Sequence, residues 1–318
     1  MPDGTTPESA YTMGYNEEFQ QLLGRRSAAT HAAHLLPHLQ PGMRVLDLGC
    51  GPGTISMGLA DAVAPGDLHG VDIEESQIVM ARAAAEAGGH GNATFHVGDI
   101  TDLPFEDGEF DVAHCHAVLM HIPDTAAALA EVRRVLKPGG TFAARELIAD
   151  SCFLEPVEPD VHEAWAAFGR LVGANGGHPQ MGRELRRALV DAGFTDIRPS
   201  GSFGTFGTDE DVAFFRGFVD DWFFQPHVVA AAIHVGVATR EQFDLWRAAI
   251  EEWGQDEGAV GALALARPSL PVRKPVRSSR RLSACGRFPA AAWAGNNVKP
   301  HVSWKPRLIR RASACGST

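Results

Sequence analysis

A chain of 318 residues is long enough for one well-packed α/β domain carrying an insertion, or for two small domains. Hydrophobic residues make up 45%, which excludes a disordered chain, and no run of 18 apolar residues offers a membrane span. The net charge of −11 is unevenly spread: from Arg267 onward there are 12 Lys and Arg and no acid, leaving 16 basic against 39 acidic residues in 1–266, so nucleic acid is disfavoured as the partner of that body.

The first residues, MPDGTTPESAYTMGY, have neither a basic nor an apolar stretch and do not read as a signal peptide. A helical pattern follows over 17–36, ended by Pro41-Gly42. Val45–Leu48 is a short apolar run of the kind found in buried parallel strands. Glycines 49, 51 and 53 come next, then a helix over Ile55–Val63. The alternation continues with strand Leu68–Asp72, helix Glu75–Ala87, strand Ala93–Val97, strand Phe110–His114, helix Thr125–Leu136 and strand Thr141–Ile148. Such a series predicts an α/β fold: a Rossmann-like, seven-stranded, mostly parallel sheet with helices on both faces. Beyond Asp150 the rhythm loosens. Helices are expected over Val161–Ala174, Gly182–Ala192, Thr208–Phe224 and Arg240–Trp253, with strands at Thr195–Pro199 and Val260–Ala266. From Pro268 the composition turns to Pro, Arg, Lys, Ser and Ala, with a weak repeat of Arg281-Leu-Ser-Ala-Cys-Gly at Arg311-Ala-Ser-Ala-Cys-Gly, and disorder is expected.

Five cysteines, Cys50, Cys115, Cys152, Cys285 and Cys315, are odd in number, widely spaced and without a CxxC pair. Neither a metal site nor a disulfide framework is expected, and a reducing cytoplasm is the natural setting.

The chemistry is concentrated in Val45-Leu-Asp-Leu-Gly-Cys-Gly-Pro-Gly-Thr. A strand, a glycine turn and a helix bring backbone close to a ligand. The dinucleotide fingerprint G-x-G-x-x-G is met only in part, because Thr54 fills its third slot. Asp47, just before the loop, would repel a pyrophosphate and suit an ammonium or sulfonium. Asp72 ends the second strand, where an acid accepts hydrogen bonds from ribose hydroxyls, and Asp99 follows the third at the same carboxyl edge of the sheet.

These residues resemble the class I S-adenosylmethionine-dependent methyltransferases, and more narrowly their ubiquinone/menaquinone-biosynthesis-type branch. The resemblance runs from about Tyr11 to Ala266, and VLDLGCGPGT, GVDIEESQI, HVGDITDLPFEDGEFDV and EVRRVLKPGGTFAARE carry it. It implies S-adenosyl-L-methionine as cofactor, released as S-adenosyl-L-homocysteine. It also implies that Asp47, Gly49, Cys50, Gly51 and Gly53 surround the methionine moiety, that Asp72 binds the ribose with Ile73 on the adenine, and that Asp99 faces the adenine amino group with Ile100 against the ring. Cys115 and His116 would border the cofactor after the fourth strand, and Tyr11 and Tyr15 would cap it.

The loop His114-Cys-His-Ala differs from the Asp/Asn-Pro-Pro-Tyr loop of DNA amine methyltransferases, which argues against DNA. The expected reaction is in-line methyl transfer to a small, partly hydrophobic acceptor through O, N or C. If a base is needed, His121 and His116 stand ahead of Glu146. Trp165, Phe168, Phe215 and Trp222, with Phe214 and Phe218, are either ordinary core or an apolar roof over the substrate, and could support a homodimer. Gly176-Gly177-His178 could hinge that roof. The expected organisation is a helical cap segment over 1–40, a methyltransferase domain over 41–267 with helical substrate-side insertions at about 151–181 and 203–238, and a basic tail over 268–318. Three alternatives stay open: an RNA or protein methyltransferase recruited by the tail, a nicotinamide-dependent oxidoreductase, and a non-catalytic cofactor-binding protein.

Overall fold

Sheet and helices assemble as the alternation of apolar runs requires. The computed structural model describes residues 17–268 and 271–276, with side chains from residue 20. Helices α1 (Glu17–Gly24) and α2 (Ala28–His31) precede β1 (Val45–Leu48), α3 (Thr54–Val63), β2 (Leu68–Asp72), α4 (Glu75–Gly88), β3 (Ala93–Val97), β4 (Phe110–His116), α5 (Thr125–Val135) and β5 (Leu136–Leu147). Then come β6 (Phe153–Glu155), α6 (Pro159–Ala174), α7 (Met181–Asp191), β7 (Pro199–Phe206), α8 (Asp209–Phe223), α9 (Pro226–His234), α10 (Arg240–Trp253), β8 (Val260–Pro268) and β9 (Val272–Arg273).

Strands β3, β2, β1, β4 and β5 lie side by side and parallel. β8 runs antiparallel to β5. β7 pairs with β8 from Pro199 to Phe206, so β5 and the short β6 share the opposite edge of β8. β9 adds two residues antiparallel to β5, level with Thr141 and Phe142. The seven expected strand lanes are thus filled by nine segments among the described residues.

Both faces are covered, as a parallel sheet requires. Along β1, β4 and β5 alternate side chains enter two cores: Val45, Val112 and Ala143 pack with α2, α3 and α4, whereas Leu46, Leu48, Ala113, Cys115, Phe142 and Ala144 pack with α5 to α8 and α10. The second core is rich in aromatic rings. Trp222, Phe223, Phe224, Phe243 and Trp246 form a chain of ring contacts 5.1–6.3 Å apart. Trp253 meets Phe215 in the same core, and its indole N–H donates to Glu155 O at 2.9 Å.

Several expectations change. The helical pattern over 17–36 splits at Arg25-Arg26-Ser27, where N–H groups of Arg25 and Arg26 bond back to Leu22 and Leu23. The strand placed at Thr195–Pro199 is β7, four residues later; its glycines 201 and 204 hide an edge strand whose exposure alternates. The 203–238 insertion begins inside that strand and holds α8 and α9, while the helical run continues past it through α10. The 151–181 insertion contains β6 as well as α6. The tail expected from 268 is ordered at its start, because Val272 is fully buried and Arg273 exchanges backbone hydrogen bonds with Thr195; its remainder, from 277, lies outside the described residues. None of the helices among the described residues is long and apolar enough to cross a membrane.

Candidate active site

A cavity of about 830 Å³ opens at the carboxyl ends of β1 to β4. Gly49 and Gly51 form its floor on the β1 side, in the left-handed region at φ 60° and 53°. Only glycine takes this conformation without strain. A methyl group on Gly49 would lie 2.5 Å from Val118 Cγ2, so the loop after β1 is seated directly against the loop after β4.

Asp72 stands at the end of β2 and fixes the glycine loop. Its Oδ2 accepts from the Gly51 N–H at 2.9 Å and its Oδ1 from the Glu74 N–H at 3.1 Å. Burial raises its pKa, and those two N–H groups oppose the rise. Beside it Ile73 is 63% exposed, an apolar side chain presented to the cavity with no protein partner to cover it. Asp99 follows β3; its Oδ1 accepts from both the N–H and the hydroxyl of Thr101 at 2.8 Å, and no described residue donates to its Oδ2. Ile100 lies buried under the same wall. Asp72, Glu74 and Asp99 make this half of the cavity acidic, whereas Asp124 and the cation Arg26 belong to the segments that build the other half.

The other half is built by the segment after β4 and by α1, α6 and the turns that follow those two helices. Leu23, Arg26, His116, Ala117, Val118, His121, Ile122 and Val172 line it. Ala117 takes φ 54°, unusual for a residue with a side chain, and marks strain at the cavity edge. His116 is 7% exposed and its Nδ1 has no partner; the ring of His31 meets it edge-on at 4.9 Å. Burial, and then the charges of Arg26 and Arg145, hold His116 well below the usual imidazole range. Burial followed by Arg26 lowers His121 to about 4, and burial with Arg26 and Arg145 lowers His31 to about 4. All three imidazoles are neutral at pH 7.

Other expected site residues are placed elsewhere. Asp47 does not face the cavity. It sits 3% exposed between β1 and α3, where its Oδ1 accepts from His114 Nδ1 at 2.8 Å and its Oδ2 from the Ser56 hydroxyl at 2.6 Å. Strand alternation turns its side chain to the α3 face, so it braces the sheet below the loop. Cys50 and Cys115 are buried thiols, both raised well above the usual range by burial. Gly53 caps α3 and packs on Ala81 rather than on the cavity.

Glu146 is fully buried, and burial pushes it up to about 7. Its Oε1 accepts from the N–H groups of Val118 and Leu119 at 3.2 and 3.0 Å, and its Oε2 from Met120 at 3.2 Å. This carboxyl holds the loop after β4 and offers nothing to the cavity. Trp165, Phe168, Phe215 and Trp222 do not roof the site either. Trp165 donates to Ala149 O at 2.6 Å, and the other three are buried in the aromatic core. Gly176-Gly177-His178 is a packed joint rather than a hinge: His178 N–H bonds to Met120 O at 2.7 Å, and a methyl on Gly177 would lie 2.6 Å from that same oxygen. Tyr11 and Tyr15 lie outside the described residues.

Sequence reasoning missed Leu23, Arg26, Glu74, Val118, Ile122 and Val172 in the cavity wall. It also stopped the fourth strand at His114, whereas β4 continues through His116 and pairs with Arg145. No group of three His, Cys, Asp or Glu side chains that could hold a metal ion occurs among the described residues.

Comparison with known proteins places this architecture. Residues 39–179 match a family model described as a methyltransferase domain. The chain is 31% identical over 213 residues to an uncharacterized methyltransferase of Schizosaccharomyces pombe, covering 64% of this chain and 76% of that protein. It is 34% identical over 117 residues to the demethylmenaquinone methyltransferase of Geobacillus kaustophilus, covering 36% of this chain and 50% of that protein. Among solved structures, a Bacillus halodurans C-125 protein considered a methyltransferase superposes with a TM-score of 0.54 at 20% identity, over 78% of this chain and 99% of that one; at that identity the likeness speaks for the fold.

Proposed function

The chain belongs to the class I S-adenosylmethionine-dependent methyltransferases, and from that premise we propose that its cavity holds the cofactor along the β1–β3 edge and delivers the methyl group to a small, partly apolar acceptor beside His116 and His121. The carrying observation is the division of one cavity into an acidic half and an apolar, imidazole-lined half. Within the family, the four core motifs and the demethylmenaquinone relative support a place near the quinone-biosynthesis branch.

The donor set fits the cofactor. Asp72 can accept from ribose hydroxyls, Ile73 and Ile100 offer apolar faces to an adenine, and Asp99 Oδ2 can accept from its amino group. Asp72, Glu74 and Asp99 suit a cationic ligand and would repel a pyrophosphate, which speaks against the nicotinamide alternative. When bound, S-adenosylmethionine supplies an electrophilic sulfonium methyl. The protein's part is to hold the acceptor in line and keep water out. Leu23, Val118, Ile122 and Val172 provide an apolar wall for that purpose. His116 and His121, neutral at pH 7, can take a proton from an oxygen or carbon acid, while Glu146 is committed to the loop.

Incubation with S-adenosylmethionine and panels of small phenols, acids and amines, scored by release of S-adenosylhomocysteine, tests the reading. Turnover with at least one acceptor, lowered in His116→Ala while cofactor affinity is kept, supports it. Cofactor binding with no turnover on any acceptor would favour the non-catalytic alternative.

A further inference from the structure

On the α2/α3 face of the sheet a row of basic and hydroxyl side chains runs across four strands. His116 on β4 is the register partner of Arg145 on β5. The β5–β8 pairing, Leu147 with Leu265 and Glu146 with Ala266, ends one residue short of Arg145 and Arg267, which are next in line, and Arg267 in turn pairs with Ser200 on β7. Paired residues project from the same face, so Arg145, Arg267 and Ser200 share one face of the sheet, and the charge of Arg267 acts on Arg145.

The charges in this row are uncompensated. Arg145 is 8% exposed, and its hydrogen bond is to a neutral group, the Ser202 hydroxyl at 3.2 Å. The Arg267 side chain makes no hydrogen bond or ion pair among the described residues, and Ser200 Oγ and His116 Nδ1 are buried without partners there. Burial and then the positive charges of Arg267 and Arg26 lower Arg145 to about 10, and among the described residues no carboxylate offsets them. Two like charges set opposite each other on adjacent strands destabilise a sheet, and a buried cation without a counterion is costlier still. In a body with 39 acids against 16 bases over 1–266, this island of unpaired cations stands out. His116, the register partner of Arg145, and Arg26, whose charge acts on Arg145, both line the cavity.

Building on the methyltransferase reading, we propose that Arg145 and Arg267, with the Ser200 hydroxyl, form an oxyanion subsite that binds an anionic group of the methyl acceptor. The fork of two guanidinium groups matches a carboxylate or a phosphate, and either would supply the missing counter-charge. The acceptor is then an organic anion whose apolar part lies along Leu23 and Val172 and whose charged end points down to β5 and β8. The methylated atom lies between that end and the cofactor, near His116. Lysine in place of either arginine would keep charge and lose the fork.

The test is calorimetric titration of the full chain, saturated with S-adenosylhomocysteine at low salt, using benzoate, inorganic phosphate and the neutral methyl benzoate. The same titrations are repeated on Arg145→Met and Arg267→Met. At least one oxyanion should bind the native chain and lose about tenfold or more in affinity in each variant, whereas methyl benzoate should not distinguish the three proteins. Benzoate and phosphate separate the carboxylate and phosphate versions of the subsite. Arg267 is half-buried on an ordered strand, so its variant serves even if Arg145→Met fails to fold. Equal oxyanion affinity in the native chain and the variants, or no binding of either anion, overturns the subsite. Failure of S-adenosylhomocysteine to bind the native chain would instead strike the cofactor reading on which the subsite rests.

Discussion

Removing the Glu146 carboxyl separates a loop anchor from a catalytic base. Its two oxygens satisfy three consecutive N–H groups, those of Val118, Leu119 and Met120, at 3.0–3.2 Å inside the protein. An unsatisfied buried N–H costs about 1–3 kcal/mol, so Glu146→Ala should lose about 3–9 kcal/mol if the loop stays closed, a large share of the ~5–15 kcal/mol that a domain possesses. Glu146→Gln keeps one acceptor oxygen for Val118 and Leu119 but turns an NH₂ toward the Met120 N–H; its loss should be about 1–3 kcal/mol. Urea unfolding gives both values, and the same samples report cofactor affinity, which should weaken because Val118 closes against Gly49. If Glu146→Ala unfolds within about 1 kcal/mol of the native chain while turnover collapses, the anchor role is wrong and Glu146 acts on the substrate.

Gly49→Ala places a methyl group 2.5 Å from Val118 at a φ that alanine avoids, so S-adenosylhomocysteine affinity by calorimetry should fall by about tenfold or more. Trp222→Ala opens the aromatic core and should cost about 3–5 kcal/mol in urea unfolding with cofactor affinity unchanged; weakened cofactor binding in the folded variant would return Trp222 to the site. Burial lowers His31 and His121 to about 4 and His34 to about 3, so between about pH 4 and 6.5 the folded state holds fewer protons than the unfolded one. Their contribution is present above pH 6.5 and lost as pH falls. Glu146, raised to about 7, acts in the opposite sense as a single group, so the melting temperature should drop on acidification through that window, and a rise would contradict the assignment.

The first half of the fold was legible because each strand there is a short, apolar-rich run with a glycine, proline or acid near its ends, and Asp72, Ile73 and Asp99 follow directly from strand ends. β6 and β9 escaped because two or three residues carry no periodicity, and β7 because Gly201 and Gly204 dilute its alternation. The role of Asp47 could not be read along the chain: it depends on the register that brings His114, 67 residues away, beside it, and on Ser56 reaching back from α3. Aromatic spacing on α8 was equally compatible with a roof or a core until the partner rings on α10 were in view. Arg145 and Arg267 drew no notice because an arginine within an apolar run looks like a strand end, and only cross-strand pairing makes them neighbours.

Calorimetric titration of the native chain with S-adenosylmethionine, S-adenosylhomocysteine and NADH, repeated with Asp72→Ala, tests the central claim most directly. Micromolar binding of the first two, lost in the variant and absent for NADH, is the expected result. Binding of NADH alone would contradict the assignment of the acidic half of the cavity to a sulfonium nucleoside.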